Sequence, residues 1–588
     1  MWRRATGDGR RATGDGRRAT GDGRDGAQVS VLFAARSQNA LHRLLDTLPV
    51  FEGDARVRRY FTLVPGSEFS LDALTAIERA GGRTLPWPEA RDRSFALVLA
   101  ASPKGDLHAL HGPRALLPHG AGFNKSLPGE GTADSASGLD PAHLLLPDGA
   151  PLATRYLFSH PSQISRLARV SPEAAARSTV VGDPLLERFL ESRARRDRYR
   201  AALRTGSRTL VVLFSTWGPE SLIGRRPGLP ADLAAALPHD EYQLALVLHP
   251  NERVRRGALD LEEYLAPARR AGLILPGGYE EWASVALAAD VLITDHGSAA
   301  LYPAALDRPL LGAYDGGVEL LPGSPMADLL DRVPRFDGDP RRIPAALSAH
   351  RPGGIRALTE SVFAERGHAL DRLREAVYDL LGLAPPAHPV VPRLLPDPAP
   401  APHTPAAFAV RVELDELGEH DEHDEHGEHD ERPPIRVLRH PAHLPLPAPA
   451  HHLAAEVGSA HHRYTQSAAL LYRRAGEHPG APAEPADLWT ARILGDHPGG
   501  RRTAAVVVSA AHCLVRTRSG PLLSVRIAPQ RQDRRTAPVD PVPVLSAVHA
   551  VLVARPGTDH TTLTCAVGPH TAEVRLTPAT PEEAATPV

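Results

Sequence analysis

Lysine and cysteine are almost missing from this chain: each occurs twice in 588 residues, beside sixty-five arginines. Cys513 and Cys565, both near the C-terminus, exclude a disulfide framework and a cysteine-rich zinc site. No uninterrupted apolar run reaches the roughly eighteen residues that a membrane-spanning helix needs. The basic start, MWRRATGDGRRATGDG, lacks the apolar centre of a secretory signal, so a cytoplasmic protein is expected. Arginine richness does not make a nucleic-acid face, because Lys+Arg (67) and Asp+Glu (69) are interspersed and the net charge is −2. The phosphate-loop string G-x-x-x-x-G-K-[ST] is absent, which sets aside a nucleotide-driven GTPase or ATPase.

What is there falls into five blocks. Residues 1–27 hold three copies of RRATGDG, with only alanine as an apolar residue, and are expected to be disordered. Residues 28–183 alternate short apolar runs (VSVLFAA, YFTLVP, FALVLAAS) with helix-like stretches, the pattern of a parallel sheet buried on both faces. The same grammar restarts in 184–384, with TLVVLFST, YQLALVLHP, LILPG, VLITDHGS and PLLGAY. Residues 385–433, rich first in proline and then in His, Asp and Glu, read as a disordered linker. Its histidines and carboxylates could bind a divalent metal weakly, but a solvated linker is the expectation and no metal site is assigned. Residues 434–588 have β texture and predict a small, mainly antiparallel sandwich or barrel. The fold class is therefore α/β, a pair of Rossmann-like domains with a cleft at the carboxyl ends of their strands, followed by a β domain.

Three strings lie at strand ends in the paired domains. PHGAGFNK (118–125) sets His119 and Gly120 ahead of Lys125, a combination that suits an anion and equally describes a glycine-rich turn with an exposed lysine. In VLHPNE (247–252), His249 leaves a strand facing the cleft, where it could act as a base or hydrogen-bond a phosphate; bonding to local backbone is the plainer alternative. In ADVLITDHGSAALYPAALDRP (289–309), Thr294-Asp295-His296-Gly297 is a tight exit and Ser298 an N-cap for a helix from Ala299. Its backbone N–H groups could receive a phosphate, or Asp295 could merely cap the junction.

In order and spacing these strings resemble the CDP-glycerol glycerophosphotransferase family, from about Gln28 to Leu383. His119, Gly120 and Lys125 match its H-G-T-P-L-K-K string. Gly182-Asp183-Pro184 stands for G-N-P, Thr216-Trp217-Gly218 for T-W-R, His249-Pro250 for H-P, and Thr294 to Ser298 for T-D-Y-S-S. The resemblance implies a GT-B fold and transfer of a glycerophosphoryl or related group from a nucleotide-activated donor to a hydroxyl acceptor in cell-envelope polymer synthesis. It implies His119 and His249 as catalytic residues, with His119 the general base. Gly120, Lys125, Thr216, Thr294, Asp295, Gly297 and Ser298 would hold the donor phosphates, with no cofactor or metal required. A lipid-linked acceptor would bring the protein to the inner membrane face. UDP-sugar transferases and UDP-N-acetylglucosamine 2-epimerases share this architecture, so an enzyme of that kind is one alternative. A nucleotide-sugar-binding scaffold is another, favoured by Asn124 in place of a lysine, Gly218 in place of the arginine and Tyr302 in place of a later acidic residue.

Overall fold

Val29–Ala35 (β1) opens a six-stranded sheet because five successive apolar side chains, from Val31, are buried. The computed structural model describes residues 28–66, 77, 81–126, 136–277, 280–413, 434–476, 483–499, 502–528, 530–532, 535–537 and 539–588. The RRATGDG repeats and the His/Asp/Glu-rich stretch lie outside the described residues. Val57–Leu63 (β2), Leu97–Ala100 (β3), Arg114–Leu116 (β4), Arg155–Phe158 (β5) and Ser178–Val180 (β6) complete the first sheet, parallel throughout in the order β2-β1-β3-β4-β5-β6.

Thr209–Ser215 (β7), Tyr242–Leu248 (β8), Val291–Thr294 (β9) and Leu310–Gly312 (β10) form the second parallel sheet, ordered β10-β9-β7-β8. LILPG, expected as a strand, contributes only the bridge of Ile274 to Ala245. Pro276 follows at once and has no N–H to extend a ladder.

The chain passes between these two units more than once. The first pass is Gly182-Asp183-Pro184. Gly182 has φ +80°, and a Cβ there would lie 2.7 Å from Ala369 Cβ. Asp183 caps the helix Pro184–Ser192 through the N–H groups of Leu185 and Leu186. The second pass precedes the helix Ala369–Leu381, whose Leu370, Leu373, Val377 and Tyr378 join the core of the first sheet rather than the second.

The proline-rich segment is a strap, which corrects the expectation of a disordered linker. Leu395 is 2% exposed within the core of the second unit, its N–H donates to Ser192 Oγ (2.9 Å), and its carbonyl accepts from the Tyr199 hydroxyl (2.8 Å). Ordinary backbone carbonyls serve as anchors, so composition alone did not reveal the docking.

The β domain begins earlier than its texture suggested. Ala407–Glu413 (β11) joins Ile435–Pro441 (β12), His452–Glu456 (β13), Leu470–Arg474 (β14), Thr503–Ser509 (β15), His512–Thr517 (β16) and Leu522–Ile527 (β17). Gln530–Gln532 (β18) and Arg535–Ala537 (β19) form a separate hairpin, and Thr561–Val567 (β20) and His570–Pro578 (β21) complete the set. Nine strands close a barrel in the order β11-β12-β20-β21-β17-β16-β15-β14-β13. It is mixed rather than wholly antiparallel, since β13–β14, β14–β15 and β12–β20 pair in parallel. The helix Pro541–Ala554, apolar almost all round, packs among the inward residues of those strands. Cys513 and Cys565 are both free and buried in this core.

Candidate active site

A cavity of about 620 Å³ lies between the two parallel sheets, walled by residues of both. His119, Gly120, Lys125, Thr216, His249, Asp295, Gly297 and Ser298 all line it. Thr294 does not: it is wholly buried at the end of β9, and its hydroxyl donates to the carbonyl of Asp295 at 3.1 Å.

Gly120 brings the first wall against the second. A Cβ at that position would lie 3.2 Å from Ser298 Oγ, so a small residue lets the HGAG loop approach the β9 exit. Ala121, next along, is buried in the core of the second unit. Asn124 and Ser126 then pair with the other wall: the Ser126 N–H donates to the Glu319 carbonyl (2.8 Å) and the Leu321 N–H to the Asn124 carbonyl (2.9 Å).

Lys125, between them, places its ammonium 2.5 Å from Glu319 Oε2 and 4.7 Å over the Trp217 ring. Glu319 also accepts from His296 Nε2 at 3.0 Å. Burial raises the pKa of Glu319, but these two hydrogen bonds outweigh it and leave the carboxyl below its ordinary value. Glu220, His296 and Glu319 each bring a ligand atom within 4.8 Å of the others, a composition that suits a divalent cation. The charge of the trio is met from within, by Lys125 on Glu319. Glu220 in turn accepts from the Tyr314 hydroxyl and the N–H groups of Val318 and Glu319.

His249 caps the helix Pro250–Arg256, its Nδ1 accepting from the Asn251 N–H at 3.1 Å. That fixes the tautomer: Nε2 carries the proton. The Asn39 side-chain amide, from the opposite wall, lies with its Nδ2 2.7 Å from Nε2; turned end for end, the same amide presents its oxygen to that proton. Burial, with smaller contributions from Lys125 and His119, lowers the His249 pKa to about 3. His249 is therefore a neutral donor near pH 7, poorly suited to be a base.

Asp295 takes the capping role. Its two oxygens accept from the N–H groups of Thr216 (2.8 Å), Leu222 (2.7 Å) and Gly297 (2.9 Å), tying together three loops. Burial raises its pKa, opposed by His296 and those three donors. A carboxylate so committed organises the wall and does not hold phosphate. Ser298 is likewise not an N-cap: it starts a 3₁₀ turn, Ser298–Ala300, ahead of the short helix Leu301–Ala305. What this wall offers a ligand is a hydroxyl and local N–H groups.

Several residues of the site escaped the sequence reading. Asn39 looked like an ordinary helix residue in SQNALHRLL. Glu319 and Glu220 lie on loops with no motif. In the wall of the cavity, Arg43 makes a bidentate pair with Asp183 (2.8 and 2.7 Å), which also accepts from the Tyr302 hydroxyl at 3.2 Å. Arg188 pairs with Asp46 (2.7 Å) and Glu280 (2.8 Å). Tyr302 thus supports a buried ion pair, stacked on Phe189 at 5.6 Å. Gly218 has φ +88°, a conformation an arginine would adopt only under strain.

No family model matches the chain, and no curated protein matches its sequence. Among solved structures, a wall teichoic acid polymerase, TagF, is similar at 14% identity over 60% of this chain and 89% of that one, with a TM-score of 0.43. UDP-GlcNAc 2-epimerase from Neisseria meningitidis, bound to UDP-GlcNAc, is similar at 10% identity over 60% of this chain and 99% of its own (TM-score 0.39). S. aureus MnaA with UDP is similar at 10% identity over 61% and 98% (TM-score 0.40).

Proposed function

We propose that this protein transfers a nucleotide-activated group, a glycerophosphoryl or related polyol-phosphate unit, to a hydroxyl acceptor bound in the cleft. The observation that carries the reading is the meeting of His119, His249, Lys125, Thr216, Gly297 and Ser298 around one cavity at the carboxyl ends of two parallel sheets. In this reading His119, exposed at the end of the β4 loop, removes the proton from the acceptor hydroxyl. The resulting oxygen attacks the β-phosphorus of the donor, and the nucleoside monophosphate leaves with the bond's electron pair. Ser298, the neighbouring N–H groups and the Nε2–H of His249 donate to the phosphoryl oxygens, His249 exchanging Asn39 for the ligand. Lys125, held from behind by Glu319, supplies positive charge at a fixed place.

A second reading, binding without turnover, is favoured by one observation: Lys125 already has a carboxylate partner. The two separate on the full chain. Offered CDP-glycerol, CDP-ribitol and UDP-sugars with a hydroxyl acceptor, the protein is expected to release the nucleoside monophosphate from a CDP-polyol. His119→Ala should lower that rate by about 100-fold or more while leaving donor affinity near wild type. Donor binding without release would select the second reading, and no binding of any donor would sink both.

A further inference from the structure

Behind the cleft, where the strands of the second sheet begin, three arginines meet one carboxylate. Asp290 immediately precedes β9; its N–H donates to the Leu210 carbonyl (3.0 Å) and its carboxylate accepts from the Leu210 N–H (2.8 Å). From the helix Arg196–Ala202, the Arg196 guanidinium donates to Asp290 Oδ1 and that of Arg200 to Oδ2 (2.6 Å). Arg308 joins them through the strand register. β10 and β9 run parallel with Leu310 beside Leu292, and the Leu292 N–H donates to the Pro309 carbonyl (2.9 Å), so the same register two residues earlier sets Arg308 beside Asp290. The four side chains are half-buried, and none of them lines the cleft cavity.

Charge does not cancel here. Arg200 is engaged further, by the carbonyls of Gly206 (3.2 Å) and Arg208 (2.8 Å). The Arg308 guanidinium has no hydrogen bond or ion pair among the described residues, and its Nε is buried. The Nε of Arg196 is likewise buried without an acceptor. Asp307, next to Arg308 in the chain, spends its two oxygens on the N–H groups of Gly353 (2.5 Å) and Arg356 (3.0 Å). Burial, and then the charge of Arg196, lower the pKa of Arg308 to about 10 against the opposing pull of Asp290. Three guanidiniums around one carboxylate leave an excess of two positive charges. A phosphate monoester carries about −1.5 to −2 near pH 7 and three acceptor oxygens, which matches both that excess and the unused donors.

We propose that Arg196, Arg200 and Arg308 form a phosphate-binding site on the back of the second unit, separate from the cleft and independent of any reaction there. A phosphate held by Arg308 and Arg196 ties the helix Arg196–Ala202 to the entries of β9 and β10. Soluble phosphate esters and the headgroups of anionic lipids offer the same chemistry, and the experiment separates the two sources.

Arg308→Gln removes one charge and breaks no hydrogen bond of the protein. In phosphate-free buffer the full chain carrying it should melt no lower than wild type, because a repulsion is relieved. Hydrogen exchange read by mass spectrometry locates the ligand: inorganic phosphate is expected to slow the amides of residues 196–210 and 306–312 in wild type. Half-maximal protection in Arg308→Gln should need about tenfold more phosphate, the loss of one charge-assisted hydrogen bond. Vesicles of phosphatidylglycerol test the other source. Recruitment that phosphatidylcholine vesicles do not produce, and that Arg308→Gln abolishes, supports the site as a lipid-headgroup site; protection by phosphate without recruitment supports it as a site for a soluble ester. Protection confined to peptides that line the cleft, equal protection in Arg308→Gln, or no response to either phosphate or vesicles overturns the proposal. A lower melting temperature for Arg308→Gln in phosphate-free buffer also overturns it, since Arg308 would then have its partner within the fold.

Discussion

At the scale of single residues, the site shows how much a motif conceals. His119, Lys125 and the His249-Pro250 pair were visible as residue types at strand ends, but their chemical states were not. The neutral state of His249 depends on burial that no local pattern reports, and on Lys125 and His119, more than a hundred positions away in sequence. Asp295 was visible as a cap or a ligand, and only the three converging N–H groups decide between them. Asp183 is the most consequential buried acid, because it caps a helix, grips Arg43 and receives Tyr302 at once. Replacing Arg43 by methionine leaves that carboxylate buried with its countercharge gone. The expected loss is about 3–5 kcal/mol in urea unfolding, much of it recovered in Arg43→Met/Asp183→Asn. Equal destabilisation of the single and double variants would show that packing, not charge, is what Arg43 provides.

At the scale of elements, the long buried strands β1, β7 and β8 were legible because each carries five uninterrupted apolar residues, a run with few other uses between turn signals. The three- and four-residue strands β4, β5 and β6 were not singled out, since runs so short carry no periodicity. The barrel's central helix, Pro541–Ala554, passed for strand because a helix surrounded by sheet is apolar on every side and loses its 3.6-residue signature. That helix carries His549, 4% exposed, with its Nδ1 2.8 Å from Thr503 Oγ1 and its pKa lowered to about 4 by burial. A histidine depressed in this way binds its proton more readily once unfolded. It therefore withdraws no stability above pH 6.5 and progressively more as the pH falls toward 4, up to about 3 kcal/mol. His549→Gln, which has no proton to gain, should flatten the acid limb of the stability profile. An unchanged slope between pH 6.5 and 4 in urea titrations would count against this account.

At the scale of the whole molecule, two units with a cleft between them followed from the repeated βα grammar, whereas the boundaries downstream did not. Composition put the β domain at Pro434, yet β11 pairs with both β12 and β13 and closes the barrel. A fragment 406–588 should accordingly be soluble and melt cooperatively, while 434–588, with two open strand edges, should aggregate; cooperative melting of the shorter piece would contradict the closure. The helix Pro184–Ser192 has a wider consequence. The first pass of the chain begins it, the N–H of Gly367 on the second pass donates to its Glu187 (2.8 Å), and its Arg188 donates to the Arg393 carbonyl on the third (2.9 Å). Three crossings are fastened to one short rod. Both walls of the cleft are thereby tied to one helix, and the Lys125–Glu319 pair joins them a second time across the cavity, so the site is framed by fastenings that lie far apart in the sequence.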